Sequence, residues 1–264
     1  MTQDAPEVRR ARGVYLLPNL FTTAALFCGF YAIIAALHGR FEPAAIAVFV
    51  AMVLDGLDGR VARLTHTESE FGAQYDSMAD LVSFGLAPAL IMYEWALGAM
   101  ADMGPFLSKL GWLAVFFYTV MAALRLARFN VQVGSTDKRY FIGLPSPSAA
   151  AIVAGLVWFS TDLGLSGADM LWPALIVTIG AGALMFSNVL YFSFKQIDLR
   201  GRMPFMTAIL VVLLFVLTSI DPPKVLFTGF LLYGLSGPVL FLVRWRLRAR
   251  RRAQGPGEPG EPKE

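Results

Sequence analysis

Between residues 55 and 80 the chain reads DGLDGRVARLTHTESEFGAQYDSMAD, which places Asp55, Asp58, Asp76 and Asp80 at the ends of two long apolar stretches. Carboxylates at membrane depth are costly, and those retained there usually carry a function. Asp55 and Asp58 are spaced i, i+3, and Asp76 and Asp80 i, i+4, so on helices each pair projects from one face. Two such faces meeting would collect four negative charges in a small space. A low dielectric tolerates that only with protons or cations between them. Hard oxygen donors of this kind suit magnesium or manganese. Gly56, Gly59 and Gly72 lie among the acids. Glycine costs about 1 kcal/mol inside a helix and is useful where a ligand or a second backbone comes close, so these positions are expected to leave room beside the carboxylates. Solvated helix-end acids paired with Arg60 and Arg63 would explain any one of the four, but all four together less well.

The elements that must position these acids are helices in a membrane. Apolar residues make up 56% of the chain and charged residues 16%, which leaves little from which to build a soluble domain. Runs long enough to span, about 20 residues each, fall at 15–37, 43–64, 74–97, 110–129, 146–161, 170–192, 204–220 and 224–243. They are apolar on every side, unlike the one-faced helices of soluble bundles. The expected fold is therefore all-α: a polytopic integral membrane protein of about eight transmembrane helices. With both termini cytoplasmic, every Lys and Arg except Arg40, Lys109 and Lys224 falls on the inner side, and so do the four aspartates. The expected organisation is a cytoplasmic segment at 1–14, a transmembrane domain at 15–243, and a tail at 244–264 that is first basic, then disordered in AQGPGEPGEPKE.

Other chemistries find little support. The first apolar run is too long for a cleavable signal, so it reads as a retained helix. Cys28 is the single cysteine and reads as a small apolar residue. His38 and His66 have no partners at zinc-ligand spacing, and no nucleophile elbow, P-loop or dinucleotide fingerprint is present. The run RWRLRARRR abuts a span, which favours anionic phospholipid headgroups, at about 1 kcal/mol per charge, over nucleic acid.

The pattern Asp55-x-x-Asp58-Gly59-x-x-Ala62-Arg63, then eight residues to Gly72, three to Asp76 and three to Asp80, resembles the signature of the CDP-alcohol phosphatidyltransferase family, with every position filled. The resemblance implies a metal-dependent membrane enzyme that displaces CMP from a CDP-linked lipid with an alcohol. It implies that Asp55, Asp58 and Asp76 hold the metal, Mg2+ or Mn2+ and as two ions, and that Asp80 shares that site and is the general base. Asp76 and Asp80 are thus the catalytic candidates. Arg63 would meet the diphosphate, Gly59, Ala62 and Gly72 would make space for cytidine, and Asn19, after Pro18, would border the nucleotide. Members commonly pair as homodimers.

Three further stretches, LPNLFTTAALFCGF, DSMADLVSFGLAPA and LRLARFNVQ with FIGLPSPSAAA, resemble the serine-using branch of that family. They imply CDP-diacylglycerol and L-serine as substrates. Arg125 and Arg128, spaced i, i+3, can receive a carboxylate bidentately; Asn130 offers donors and acceptors, and Ser146 or Ser148 a hydroxyl in a loop shaped by Gly143, Pro145 and Pro147. Arg128 also reads simply as the mark of a helix end. Two other readings stay open. A different headgroup, such as glycerol 3-phosphate, would need the basic pocket that Arg125, Arg128, Lys138 and Arg139 can supply. A small-solute transporter would also place acids at membrane depth, but no halves repeat and the acids lie toward helix ends.

Overall fold

A computed structural model describes residues 16–65, 67, 69–132, 140–192 and 205–253. The expected terminal segment 1–14, the tail beyond 253, His66, and the basic residues Lys138, Arg139, Lys195, Arg200 and Arg202 lie outside the described residues. The described chain is helical: α1 (Leu16–Leu37), α2 (Phe41–Thr65), α3 (Glu70–Asp80), α4 (Ala87–Trp95), α5 (Pro105–Gln132), α6 (Ser146–Asp162), α7 (Leu171–Phe186), α8 (Phe205–Ile220) and α9 (Pro222–Ala253). A π-helical turn, Leu81–Leu86, joins α3 to α4, and a 3-10 segment, Leu97–Met103, precedes α5.

The first two helices form a tight hairpin. Gly39, at φ 69°, makes the turn, and Arg40 N–H donates to the Ala35 carbonyl at 2.9 Å. Ala25, Ala32, Ala35 and Ala36 of α1 and Ala44, Ala45, Ala47 and Ala51 of α2 are all buried. Small side chains let two backbones approach closely, which is how helices associate where lipid removes the hydrophobic drive. Helix α6 forms the centre, buried almost continuously from Ser148 to Val157, and packs against α2, α4, α7 and α9. At the far end of α6, Lys224 of α9 pairs with Asp162 at 3.7 Å and with Asp221, whose carboxyl is held below its ordinary range by the hydrogen bond from Lys224.

The apolar runs locate the helices closely, with four informative differences. Helix α3 begins at Glu70, ahead of the expected 74, because Ser69 caps it: the Ser69 hydroxyl accepts from Gly72 N–H at 3.0 Å. This first turn is polar, so hydropathy misses it. The stretch expected to be one helix over 170–192 stops at Phe186, where Ser187 turns extended. Leu190–Phe192 (β2) then pairs antiparallel with Tyr140–Ile142 (β1), Phe141 opposite Tyr191, a small departure from an all-α fold. Helix α9 runs past the expected boundary at 243 to Ala253; Ala, Leu and Arg are good helix formers, and cations suit a helix C-terminus.

The fourth difference is the span count. Pro18–Leu37, Pro105–Val131 and Pro222–Val243 are long and apolar enough to cross a membrane, and the bent pair Glu70–Trp95 with Leu97–Met103 makes a fourth if it is one span. The remaining helices of the expected eight fall short of that measure for two reasons. Helix α2 carries Asp55, Asp58, Arg60 and Arg63. Helices α6, α7 and α8 have 17, 16 and 16 residues, roughly 25 Å at about 1.5 Å per residue against a hydrocarbon core of about 30 Å.

Close packing predicts an asymmetry among glycines. A Cβ on Gly29 of α1 would lie 2.7 Å from the Cα of Ser83, whereas one on Gly180 of α7 would meet nothing within 4 Å. Gly29→Ala is expected to destabilise by about 1–3 kcal/mol, and Gly180→Ala to be neutral or stabilising by up to about 1 kcal/mol. Thermal unfolding midpoints of the two variants in detergent measure the difference.

Candidate active site

The second half of α2 and the second half of α3 carry the acids, and the structure brings three of them together. One carboxylate oxygen each from Asp55, Asp76 and Asp80 lie within 4.8 Å of one another. Asp58 is buried beside this group rather than in it, and its Oδ2 accepts from the Thr22 hydroxyl of α1 at 2.7 Å. The Pro18 carbonyl of the same helix lies 3.1 Å from that hydroxyl and is the alternative acceptor of its single proton. All four aspartates line one cavity of about 760 Å³, together with Arg60, Arg63 and Arg125.

The donor set fits a hard divalent cation. Oxygens that share one Mg2+ at about 2.1 Å each lie up to about 4.2 Å apart, so the observed spread of at most 4.8 Å needs little inward adjustment. Carboxylates are the donors such ions select over imidazole or thiolate.

The glycines play two different roles. Beside Gly56 and Gly59 a Cβ would meet nothing within 4 Å, so both leave open space next to the acids, as expected. Gly72 does not leave room. A Cβ there would lie 3.1 Å from Ser69 Oγ and 3.6 Å from Asn19 Oδ1, so its missing side chain instead lets the α3 cap and α1 approach each other. Asn19 is thereby placed against the start of α3, and its carbonyl accepts from Thr23, whose hydroxyl also meets Tyr75 at 2.9 Å. Arg63 lies at the cavity with its Nε donating to the Gly59 carbonyl at 2.9 Å. Ala62 is half-buried one position before it, and its carbonyl accepts from Thr67 N–H.

The residues singled out for serine separate. Arg125 lines the cavity, faces Asp80 and Asp55, and donates from Nη1 to Ser146 Oγ at 2.6 Å, with Ser146 fully buried at the start of α6. Ser148, Pro145 and Pro147 line the same space. Arg128 does not line it. Its guanidinium donates to the carbonyls of Phe186 at 3.1 Å and Ser187 at 3.4 Å and sits 4.0 Å from the centre of the Phe186 ring. The i, i+3 spacing therefore does not produce a two-arginine clamp: Arg128 closes the end of a neighbouring helix, α7, a contact that its sequence position did not indicate. Asn130 is paired with Ser77, donating to its hydroxyl at 3.0 Å, and is likewise outside the cavity lining.

Sequence reasoning missed several residues of this site. Thr22 sits in an apolar run where a threonine carries no positional signal. Gly229, Phe230 and Tyr233 of α9, with Leu214 and Thr218 of α8, form a largely apolar wall that hydropathy reads only as span. Opposite, Leu126 and Phe129 of α5 extend that apolar lining, so a charged region and a greasy one share one space.

Comparison with known proteins follows the same lines. The model of the CDP-alcohol phosphatidyltransferase family matches residues 15–189, which hold the four aspartates, Arg63, Arg125 and Ser146. The CDP-diacylglycerol–serine O-phosphatidyltransferase of Helicobacter pylori strain J99 is 35% identical over 233 residues, 88% of this chain and 94% of that protein. The protein of that name from Bacillus subtilis is 32% identical over 180 residues, covering 68% of this chain and 92% of its own. That of Mycobacterium leprae is 34% identical over 189 residues, 70% of this chain and 60% of its own. With the acid signature complete, folded into one cavity and lying inside the matched region, the chain belongs to the CDP-alcohol phosphatidyltransferase family.

Proposed function

We propose that this chain is a phosphatidylserine synthase, which transfers the phosphatidyl group of CDP-diacylglycerol to L-serine and releases CMP. The observation that carries this reading is the single cavity in which Asp55, Asp76 and Asp80 converge beside Arg125 while α8 and α9 supply an apolar wall. Such a space receives a lipid and a small zwitterion at once. Relatives that bear the name of this reaction, similar over most of the chain, support the choice of acceptor.

In this reading Asp55, Asp76 and Asp80, with Asp58 alongside, hold divalent metal, Mg2+ or Mn2+. When bound, the metal supplies charge neutralisation to the diphosphate oxygens. Arg63 donates to the diphosphate, and the open space at Gly56 and Gly59 admits the nucleotide, with Asn19, Ala62 and Gly72 shaping its border. Arg125, oriented by Ser146, uses its remaining donors for the serine carboxylate. Asp80 accepts the hydroxyl proton as the serine oxygen bonds to the lipid-side phosphorus. The bond from that phosphorus to the bridging oxygen breaks, and CMP departs with the electron pair. The apolar helices support multiple spans of the cell membrane, and the placement of the basic residues supports a site at its cytoplasmic face. That position gives CMP and serine direct access to the cytosol.

Glycerol 3-phosphate is the second reading, favoured by Arg60, Arg63 and Arg125 lining one space where a second phosphate could bind. Purified protein given CDP-diacylglycerol, Mn2+ and either serine, glycerol 3-phosphate, inositol or choline separates the two. Serine is expected to drive CMP release and lipid product together; release driven by glycerol 3-phosphate instead would replace the first reading with the second.

Two sets of substitutions test the roles. Asp55→Asn and Asp76→Asn are each expected to lower kcat by a thousandfold or more and to weaken Mn2+ binding, with membrane insertion unchanged. Asp80→Asn is expected to reduce kcat by at least a hundredfold with a smaller change in affinity for the CDP-lipid. The arginines should divide as their contacts do. Arg125→Lys raises the serine KM about tenfold, since lysine lacks the planar fork. Arg128→Lys leaves that KM within about twofold and lowers the unfolding midpoint, because its partners are helix-end carbonyls.

A further inference from the structure

Asp80 is the last residue of α3, and the turn that follows is π-helical from Leu81 to Leu86. Ala87 N–H accordingly bonds back five residues, to the Val82 carbonyl. A π turn carries one residue more than an α-helical turn. It offsets the helix beyond it from the helix before it and leaves carbonyls poorly matched to intrahelical donors. Such a turn persists only where outside groups satisfy it.

Side chains of α5 supply those groups. The fully buried Tyr118 of α5 donates its hydroxyl to the Phe84 carbonyl at 2.9 Å, and Thr119 reaches the Gly85 carbonyl at 3.4 Å. On the opposite side Ser83 donates to the Ala25 carbonyl of α1 at 3.1 Å. Gly85 lets α5 come close, since a Cβ there would lie 3.2 Å from that of Ala122. Tyr118, Ala122 and Arg125 are spaced i, i+4, i+7, so one stripe of α5 grips the π turn and then presents Arg125 to Asp80.

We propose that Tyr118 is a positioning residue whose hydroxyl holds the π turn in place, keeping the face of α3 that carries Asp76 and Asp80 turned toward Asp55 and Arg125 while α4 seats its own apolar face in the core. Without that bond the turn can tighten toward ordinary α-helix, and α3 rotates so that Asp76 and Asp80 together fall out of register with Asp55 of α2. The inference rests on the proposed role of the acid cluster, and the closing experiment keeps the two separable.

Tyr118→Phe removes the hydroxyl and keeps the ring. Tyr191→Phe is its matched comparison, because Tyr191 is also buried and also donates to a helix carbonyl, that of Gly234, at 2.9 Å. Four quantities are measured on each purified protein: Mn2+ bound in the absence of substrates, by electron paramagnetic resonance; kcat; the serine KM; and the thermal midpoint. Tyr118→Phe is expected to weaken Mn2+ binding and to lower kcat, each at least tenfold, with the serine KM within about threefold. Tyr191→Phe is expected to lower the midpoint by as much while leaving Mn2+ affinity unchanged. Equal effects of the two variants on Mn2+ affinity and kcat, or wild-type values in Tyr118→Phe, overturn the proposal. If the wild-type protein itself binds no Mn2+, the metal reading of the acids fails, and the kcat of Tyr118→Phe at an unchanged serine KM still decides the role of Tyr118.

Discussion

Carboxylates crowded at the edge of a low-dielectric bundle repel, and the rest of the structure answers to that repulsion. Two unit charges 4.8 Å apart oppose each other by about 3 kcal/mol at an effective dielectric of about 20. A flexible scaffold would relax by letting them part. Here neither carrier can move freely. The alanine-lined contact of α1 with α2 fixes Asp55, and the Ser69 cap and the π turn bracket the helix that bears Asp76 and Asp80. Thr22 fixes Asp58 from a third direction. The acids are held close by packing around them, which makes the cluster a place where a cation lowers the energy of the fold.

The same packing decides which cations of the chain belong to the site. Arg125 faces the acids because Ser146, fixed at the buried head of α6, holds its guanidinium. Arg128, three residues along the same helix, is turned to the carbonyls that end α7. One arginine is thus turned to the cavity and its neighbour to the end of a helix. The difference comes from what packs against each side of α5.

Helices and the signature acids were legible in the sequence because each rests on a local pattern. Apolar runs placed α1, α2, α5 and α6 within a few residues, and the spacing of four aspartates was enough to anticipate that their faces would meet. What was not legible depends on contacts between distant segments. Arg125 and Arg128 look alike in sequence and differ only in their neighbours. Gly72 resembles Gly59, yet one is packed and the other open. The π turn has no hydropathy signature, and the cavity wall from α9 reads as lipid-facing helix because its residues are apolar for either purpose.

The short strand pair has a consequence for how such a chain can change over time. The family match ends at residue 189, and the next residues form β2, whose Tyr191 is buried, donates to the Gly234 carbonyl of α9 and packs its ring 5.5 Å from that of Tyr233 on the cavity wall. Through that tyrosine, and along the face that packs on α6, α9 is tied to the rest of the bundle and not merely appended to it. Sequence drift along α8 and the outer surface of α9 is free wherever only lipid is touched. At Tyr191 that freedom ends, because the strand pair and α9 are joined there.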